Sequence, residues 1–376
     1  MQKVMIAAAV AALLAAPASA GQFGGLDKVG KVTKRAQQFK DVEMTDEDEQ
    51  ELGAAVSQKI RDRYGVVQDP AIHRYVTLVG SVLAQASARP NLAWKFIVLD
   101  TDGVNALAAP GGYIHITRGA LSLMTSEAQL GGVLAHELIH VTEKHTIRAI
   151  QKGKLVQMGA DETLKGNKEL FGKLVDKATD VVMAGFGRGE ELEADSKGVV
   201  LANKVGYDPN GLAAFLTTIS ERNKDSDQKQ GLFASHPEMK ERLEKLAKVV
   251  KDDKLASTAT VEPRYKKNVS YAPVPLAAVT TVATGASGLA NGDTKPAEKK
   301  EEAKAEEPKK KKGFGLSGLV GPGGGSEKKS AEVTGSGASR GVDKERNAKG
   351  GPNAAAVPVK VSAADITTFK KDGQLN

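Results

Sequence analysis

The chain has no cysteine. That absence removes a lipid-modified cysteine anchor, a disulfide framework and every thiolate metal site. After the first twenty residues no stretch is apolar for long enough to cross a bilayer, which takes ~20 residues. Aromatic residues make up only 4%, whereas charged residues reach 26% and there are 40 glycines, most of the excess after about residue 250. The 376 residues therefore allow one sizeable core but are not all core. The net charge of +7 is modest for this length. No nucleic-acid-binding motif accompanies it, so nucleic acid is not an expected partner.

What is present begins with "MQKVMIAAAVAALLAAPASA". A basic start, a short apolar run from Val4 to Ala16 and the small residues Ala18-Ser19-Ala20 read as a cleaved secretory signal over residues 1–20; a membrane anchor is the alternative. A signal and no cysteine together point to the periplasm. A basic lead-in follows over 21–44, and a folded domain is expected over 45–251. Within it, Thr45 precedes a helix with acids in its first turn and Arg61 and Arg63 in its last. A second helix is expected from Ala71 to Ala86, then β-rich runs over 94–100 and 111–119. Ser126 and Gln129 form a capping-box signature for the next helix. Further helices are expected over 189–204, from Asp208-Pro209 through Ser220, and after Ser235-His236-Pro237-Glu238.

Order is expected to thin after 252. Residues 252–340 read as a linker and low-complexity charged and Gly-rich region, disordered over about 285–340. The Lys309–Lys312 run reads as solvated, with anionic lipid or cell wall as the alternative. Residues 341–376 regain a short strand-like run and a helix, which docks back or binds a partner.

The stretch "VLAHELIHVTEKH" (133–145) holds three of the six histidines. On a helix, His136 and His140 share a face with Cβ atoms ~5–6 Å apart, so both imidazoles reach one ion at Zn–N distances of ~2.0–2.1 Å. Glu137 points to the side where the attacking water would sit. That is the mechanical content of H-E-x-x-H: two ligands and a general base. The competing view is a buried helix with structural histidines. Leu130, Val133, Leu134, Leu138, Ile139 and Val141 surround them, so the helix reads as buried, and a metal satisfies two buried imidazoles at once. Gly131 and Gly132 suggest close approach by another element. For a third ligand, "GRGEELEADSKG" (187–198) offers Glu190, Glu191, Glu193 and Asp195. Glu191 and Asp195 share a face, from which Glu193 points away; a plain acidic helix start is equally consistent with it.

Three segments in order, "NALAAPGGYIHITRGAL" (105–121), "HELIHVTEKH" (136–145) and "EELEAD" (190–195), with "SHPEMKERL" (235–243) as a weaker fourth, resemble the gluzincin zinc metallopeptidases that include the HtpX heat-shock protease and the CaaX prenyl protease, specifically their soluble periplasmic branch. The resemblance covers residues 45–250. It implies one Zn²⁺ per chain on His136, His140 and Glu191, with Glu137 as base, Asp195 behind the ligands and Arg242 holding the acids. Ile139 departs from the family, which usually has Gly or Ala there.

The segment "GGYIHIT" also reads as a sheet edge whose free backbone groups pair with an extended substrate. Pro110, Gly111 and Gly112 shape its turn, so these residues with Asn105 and Tyr113 are the substrate-binding candidates; an ordinary core hairpin is the alternative. His236 either stabilises the tetrahedral intermediate, closes the site as a latent enzyme, or simply starts a helix. His145 reads as helix-surface or as backing the site, His115 as structural and His73 as surface.

The expected fold is α+β, a mainly helical zincin-like metallopeptidase domain with a small sheet and a largely disordered C-terminal tail. The expected function is a zinc metalloendopeptidase acting on extended or misfolded envelope polypeptides, with envelope or outer-membrane assembly proteins as partners. Its rivals are a non-cleaving binding or assembly factor using the same cleft, and an envelope adaptor acting through the basic tail.

Overall fold

The computed structural model describes residues 44–152, 168–224, 236, 239–276 and 353–376; the expected signal, the lead-in up to 43 and the low-complexity stretch 285–340 lie outside them. Asp46–Asn376 form one compact unit, mostly helical with a single small sheet.

Helix α1 (Asp46–Tyr64) carries four acids in its first turn and Arg61 and Arg63 in its last, the charge order its macrodipole favours. Helix α2 (Pro70–Ala86) starts on Asp69, whose side chain accepts from the Ala71 N–H, with proline at the first helical position. Ile72, Tyr75, Val76, Val79 and Leu83 are all buried, the face that the 3.6-residue period marks out.

Three strands form the sheet: β1 (Lys95–Leu99), β2 (Ala106–Ala109) and β3 (Tyr113–Thr117). Their order is β1-β3-β2, with β1 parallel and β2 antiparallel to β3. This corrects one expectation. The "GGYIHIT" run is the central strand, its backbone groups taken on both sides by β1 and β2. The edge strands are β1, whose Leu99 bridges Val66, and β2, the short apolar "ALAA" before the Pro110–Gly112 turn.

Helix α3 (Arg118–Leu123) leads into α4 (Glu127–Thr142), which carries the histidine motif. Ser126 caps α4 by accepting from the Gln129 N–H, but only half the expected box forms. The Gln129 side chain turns one residue further back, to the Thr125 N–H and hydroxyl. Every residue from Glu127 to Val141 is buried. Helix α4 is thus the axis of the domain, with α7 (Arg188–Lys204), α8 (Gly211–Asn223) and α2 packed around it. The suspected close approaches at its glycines are present: a methyl at Gly131 would meet the Tyr207 ring, and one at Gly132 the Leu212 backbone at 2.7 Å. Ile139 is accommodated in this packing with 7% of its surface exposed.

Helices α5 (His145–Lys152) and α6 (Lys168–Ala184) follow α4, and α9 (Met239–Asp252) packs on α7 and α8. Helix α8 starts later than expected. Asp208 caps a turn by accepting from the Asn210 N–H, so Pro209 falls before the helix. Ser235 lies outside the described residues.

The chain does not lose order at 252. Residues 253–276 include α10 (Glu262–Asn268) and a bridge between Tyr207 and Ala259. Of the C-terminal segment, 353–376 ends in α11 (Ala363–Asp372), capped by a full Ser362/Asp365 box and packed on α2. No helix of the described residues is long and apolar enough to cross a membrane.

Candidate metal centre

Three elements bring four potential ligands together. Helix α4 supplies His136 and His140, one turn apart; α7 supplies Glu191; His236 comes from just ahead of α9. All four are buried, and their ligand atoms lie within 4.8 Å of one another. Helix α7 comes this close because its residue 198 is glycine: a Cβ there would stand 3.0 Å from the His136 N.

The spacings suit a small tetrahedral ion. Zn–N distances of ~2.0–2.1 Å at tetrahedral angles require ligand atoms roughly 3.3 Å apart. His136 Nε2 and His140 Nε2 are 3.0 Å apart, and each is 3.6 Å from a Glu191 oxygen. His236 Nδ1 is 3.4 Å from His136 Nε2 and 2.8 Å from Glu191 Oε2. The charges agree. Glu137, Glu191 and Asp195 are three buried carboxylates set against one buried guanidinium, that of Arg242. A divalent cation would balance the remainder, which is costly to bury otherwise.

Behind the ligands, the Arg242 Nε and Nη2 donate to the two Asp195 oxygens at 2.7 Å each. Asp195 Oδ1 in turn lies 2.9 Å from His136 Nδ1. The contact is close without hydrogen-bond geometry; a His136 Nδ1–H turned to that oxygen would point the Nε2 lone pair toward the cluster, the tautomer a metal ligand needs. Arg242 also lies 3.2 Å from Glu191 and donates to the His236 carbonyl at 3.3 Å, so one guanidinium ties α9, α7 and His236 together.

Burial pushes the Glu137 carboxyl above its ordinary range against the pull of His236 and His136. Neither of its oxygens has a hydrogen-bond partner among the described residues, and the nearest imidazole nitrogen, His236 Nε2, is 3.8 Å away. Burial would also raise Glu191 and Asp195. Their cationic and imidazole neighbours overcome it, and both are held low. Burial would lower His236, yet the Glu191 and Glu137 carboxylates raise it on balance. His140 has no such support and is driven well below its usual range.

The substrate-binding candidates are engaged in holding the sheet and its turn. Asn105 spends its side-chain oxygen on the Ala106 N–H and its carbonyl on Thr117. The Gly111 N–H donates to Glu49 of α1, and Gly111 and Gly112, both at positive φ, press on α1 and on Leu92 with Trp94. Tyr113 opens β3, half-buried. Pro110 alone shares a cavity with the site: it lines one with Ala108, Ala109, Val141 and His140.

One histidine departs from expectation, and for another the structure selects the alternative that backs the site. His73 is buried and bonds the Val67 carbonyl. His145 is buried too, with its Nδ1 2.7 Å from His140 Nδ1. His115 is structural as read, bonded to Ser57 and the Leu107 carbonyl. Phe186, which the sequence did not single out, stacks on the His140 ring at 4.1 Å.

Residues 70–250 match the model of Peptidase family M48. The chain is 26% identical over 207 residues to a beta-barrel assembly-enhancing protease of Escherichia coli K12, covering 52% of this chain and 42% of that protein. It is 28% identical over 210 residues to the mitochondrial metalloendopeptidase OMA1 of Schizosaccharomyces pombe, covering 53% and 60%. It is 28% identical over 155 residues to the metalloprotease YcaL of E. coli K12, covering 40% and 59%. The chain thus spans less than half the length of the assembly-enhancing protease it matches.

Proposed function

We propose, from the match of residues 70–250 to the model of Peptidase family M48, that this chain is a zinc-dependent metalloendopeptidase cleaving extended or misfolded polypeptides of the cell envelope. The observation that carries the reading is Glu137. A carboxylate buried to 1% exposure without a hydrogen-bond partner is costly, and it stands beside a ligand cluster of the right size for zinc. His136, His140 and Glu191 would hold the ion. A zinc ion there supplies the Lewis acidity that lets water attack an amide at neutral pH.

The chain's own groups do the rest. Glu137, its pKa raised by burial, takes the proton of the attacking water and delivers it to the departing amine nitrogen. Asp195, fixed by Arg242, keeps His136 in the ligating tautomer. His236, beside Glu137 and Glu191, is placed either to stabilise the oxyanion or to close the site. Strand β2, with no strand on its outer side among the described residues, offers an edge to which an extended chain can add. Pro110 sits at its end, and Asn105, Gly111, Gly112 and Tyr113 would contribute by holding β2 in place. The finer assignments rest on the sequence motifs: the HtpX and CaaX prenyl protease-like group, a periplasmic location after signal cleavage, and envelope assembly partners. The last is also suggested by the name of the assembly-enhancing relative.

The test pairs metal content with turnover. Purified wild type is expected to carry about one zinc per chain, and Glu191→Ala to lose it. Glu137→Gln should keep the zinc while cleavage of an unfolded polypeptide falls ~10²–10⁴-fold. Undiminished function in Glu137→Gln would mean that hydrolysis is not the function and favour a non-cleaving assembly factor.

A further inference from the structure

The metal helix ends in an abrupt turn. After Thr142, Lys144 adopts φ 54°, a left-handed conformation that is costly for a residue other than glycine, and α5 begins at once with His145. The turn folds His145 back onto the helix it has just left. Its ring meets that of His140 edge to face at 4.8 Å, with the two Nδ1 atoms 2.7 Å apart. On its far side, His145 Nε2 lies 3.1 Å from Glu193 Oε2. Glu193 is partly exposed and is held by Arg148 at 3.1 Å and Lys197 at 2.7 Å.

Proton bookkeeping admits one arrangement in which His140 is a ligand. Its Nε2 faces His136 and Glu191, so the lone pair must be there and the proton on Nδ1. That N–H donates to His145 Nδ1, which therefore carries its own proton on Nε2 and donates it to Glu193. On this basis, and resting on the zinc-site reading above, we propose that His145 is a positioning residue. It fixes the tautomer and ring orientation of His140 through a His140–His145–Glu193 relay. The relay is the counterpart, with one imidazole interposed, of the carboxylate that Asp195 presents directly to His136. Partners behind metal-ligating histidines are typically worth 10–100-fold in metal affinity. Phe186, stacked on the other face of the His140 ring, restricts its swing but offers no acceptor, so the hydrogen bond falls to His145.

The experiment measures zinc affinity of the full chain by chelator competition, with the absorption spectrum of the cobalt-loaded protein and the melting temperature of the metal-free form. His145→Ala should weaken zinc binding by about tenfold or more and alter the cobalt spectrum. His145→Asn, whose Oδ1 can accept from His140 Nδ1, should recover most of the affinity. Equal losses in both would reduce His145 to packing and overturn the proposal. So would wild-type affinity and spectrum in His145→Ala. Should His145→Ala not fold, Glu193→Ala at the exposed end decides: weakened zinc binding supports the relay, unchanged binding overturns it. A wild type that takes up no zinc overturns the metal-site reading and the relay together. Zinc-loaded wild type beside an indifferent His145→Ala overturns the relay alone.

Discussion

His115 shows what one buried side chain does to the pH response of the whole fold. It sits on the central strand with no exposed surface, between Ser57 Oγ at 2.9 Å and the Leu107 carbonyl at 3.4 Å. Burial, which outweighs the Leu107 hydrogen bond, pushes its pKa down to about 3, with nearby Arg61 adding to the fall. Between the ordinary value of 6.5 and about 3, the unfolded chain binds a proton that the folded one refuses. Stability therefore falls on acidification across that window, by at most ~1.4 kcal/mol per pH unit, and this group contributes no slope above pH 6.5. His73, also lowered by burial, acts in the same sense. Denaturant unfolding of wild type and His115→Gln between pH 4.5 and 6.5 should give a flatter profile for the variant by up to about that slope; parallel profiles would refute it. At this scale the sequence was legible where chemistry is local. His136, Glu137 and His140 announce themselves by spacing alone. Glu191 could be singled out from its acidic neighbours only through the resemblance. His73 was misread as surface because its burial depends on elements that pack over it from elsewhere, and His145 was left between helix surface and a place behind the site because a left-handed turn at a lysine, which no propensity favours, decides it.

Between elements, the decisive contact is the approach of α7 to α4. Gly198 is where it happens, and the cost of filling that space can be set against a matched control. Replacing an interior helical glycine by alanine stabilises a helix by roughly 0.5–1 kcal/mol through the entropy of the unfolded chain. In Gly198→Ala the new methyl meets the backbone of His136 and Ala135 at 3.0–3.3 Å. A helix backbone cannot step aside as a side chain would, and overpacking of this kind costs ~1–3 kcal/mol. Gly172 of α6 has nothing within 4 Å of its Cβ position. Thermal or denaturant unfolding should therefore show Gly172→Ala stabilised and Gly198→Ala destabilised, the latter with weaker zinc binding because Glu191 moves with α7. Stabilisation of both would mean that the α4–α7 contact is slack. The helices that were read from caps and periodicity came through to within a few residues, since those signals are local; α3, α5, α6 and α10 were not read at all. The strand order did not come through. A hydrophobic run says that a strand is buried, but whether it is central or at an edge depends on which neighbours pair with it. One of the two edges in this sheet is the inconspicuous "ALAA".

Across the described residues, the C-terminal segment packs back on α1, α2 and the turn between them. Asn353 accepts from the Val66 N–H, Ala354 from Arg61 and Lys360 from Arg74, while Arg74 also pairs with Asp365. The Asn376 N–H donates to the Val205 carbonyl. Two residues of α11 are buried, Ile366 and Phe369, each 8% exposed; the Phe369 carbonyl accepts from Arg264 while the guanidinium lies 3.6 Å over its ring. Arg264 also forms a bidentate pair with Glu127, a fully buried carboxylate in the first turn of the metal helix that accepts from Tyr75 and Tyr207 as well. Truncating a buried phenylalanine costs ~3–5 kcal/mol, and Phe369→Ala would in addition open Arg264 and Glu127 to water, weakening a pair that depends on a dry setting. The full-length variant should therefore unfold at a lower temperature. Exposed Lys371→Ala, on the same helix, should leave the melting temperature nearly unchanged. Zinc affinity measured well below that transition should stay close to wild type, because the Arg264–Glu127 anchor grips the first turn of α4 and the ligands lie two turns further on. A melting temperature unmoved by Phe369→Ala would show that 353–376 rests on the domain without holding it. Zinc loss in the folded variant would instead show that the C-terminal helix reaches through α4 to the metal centre.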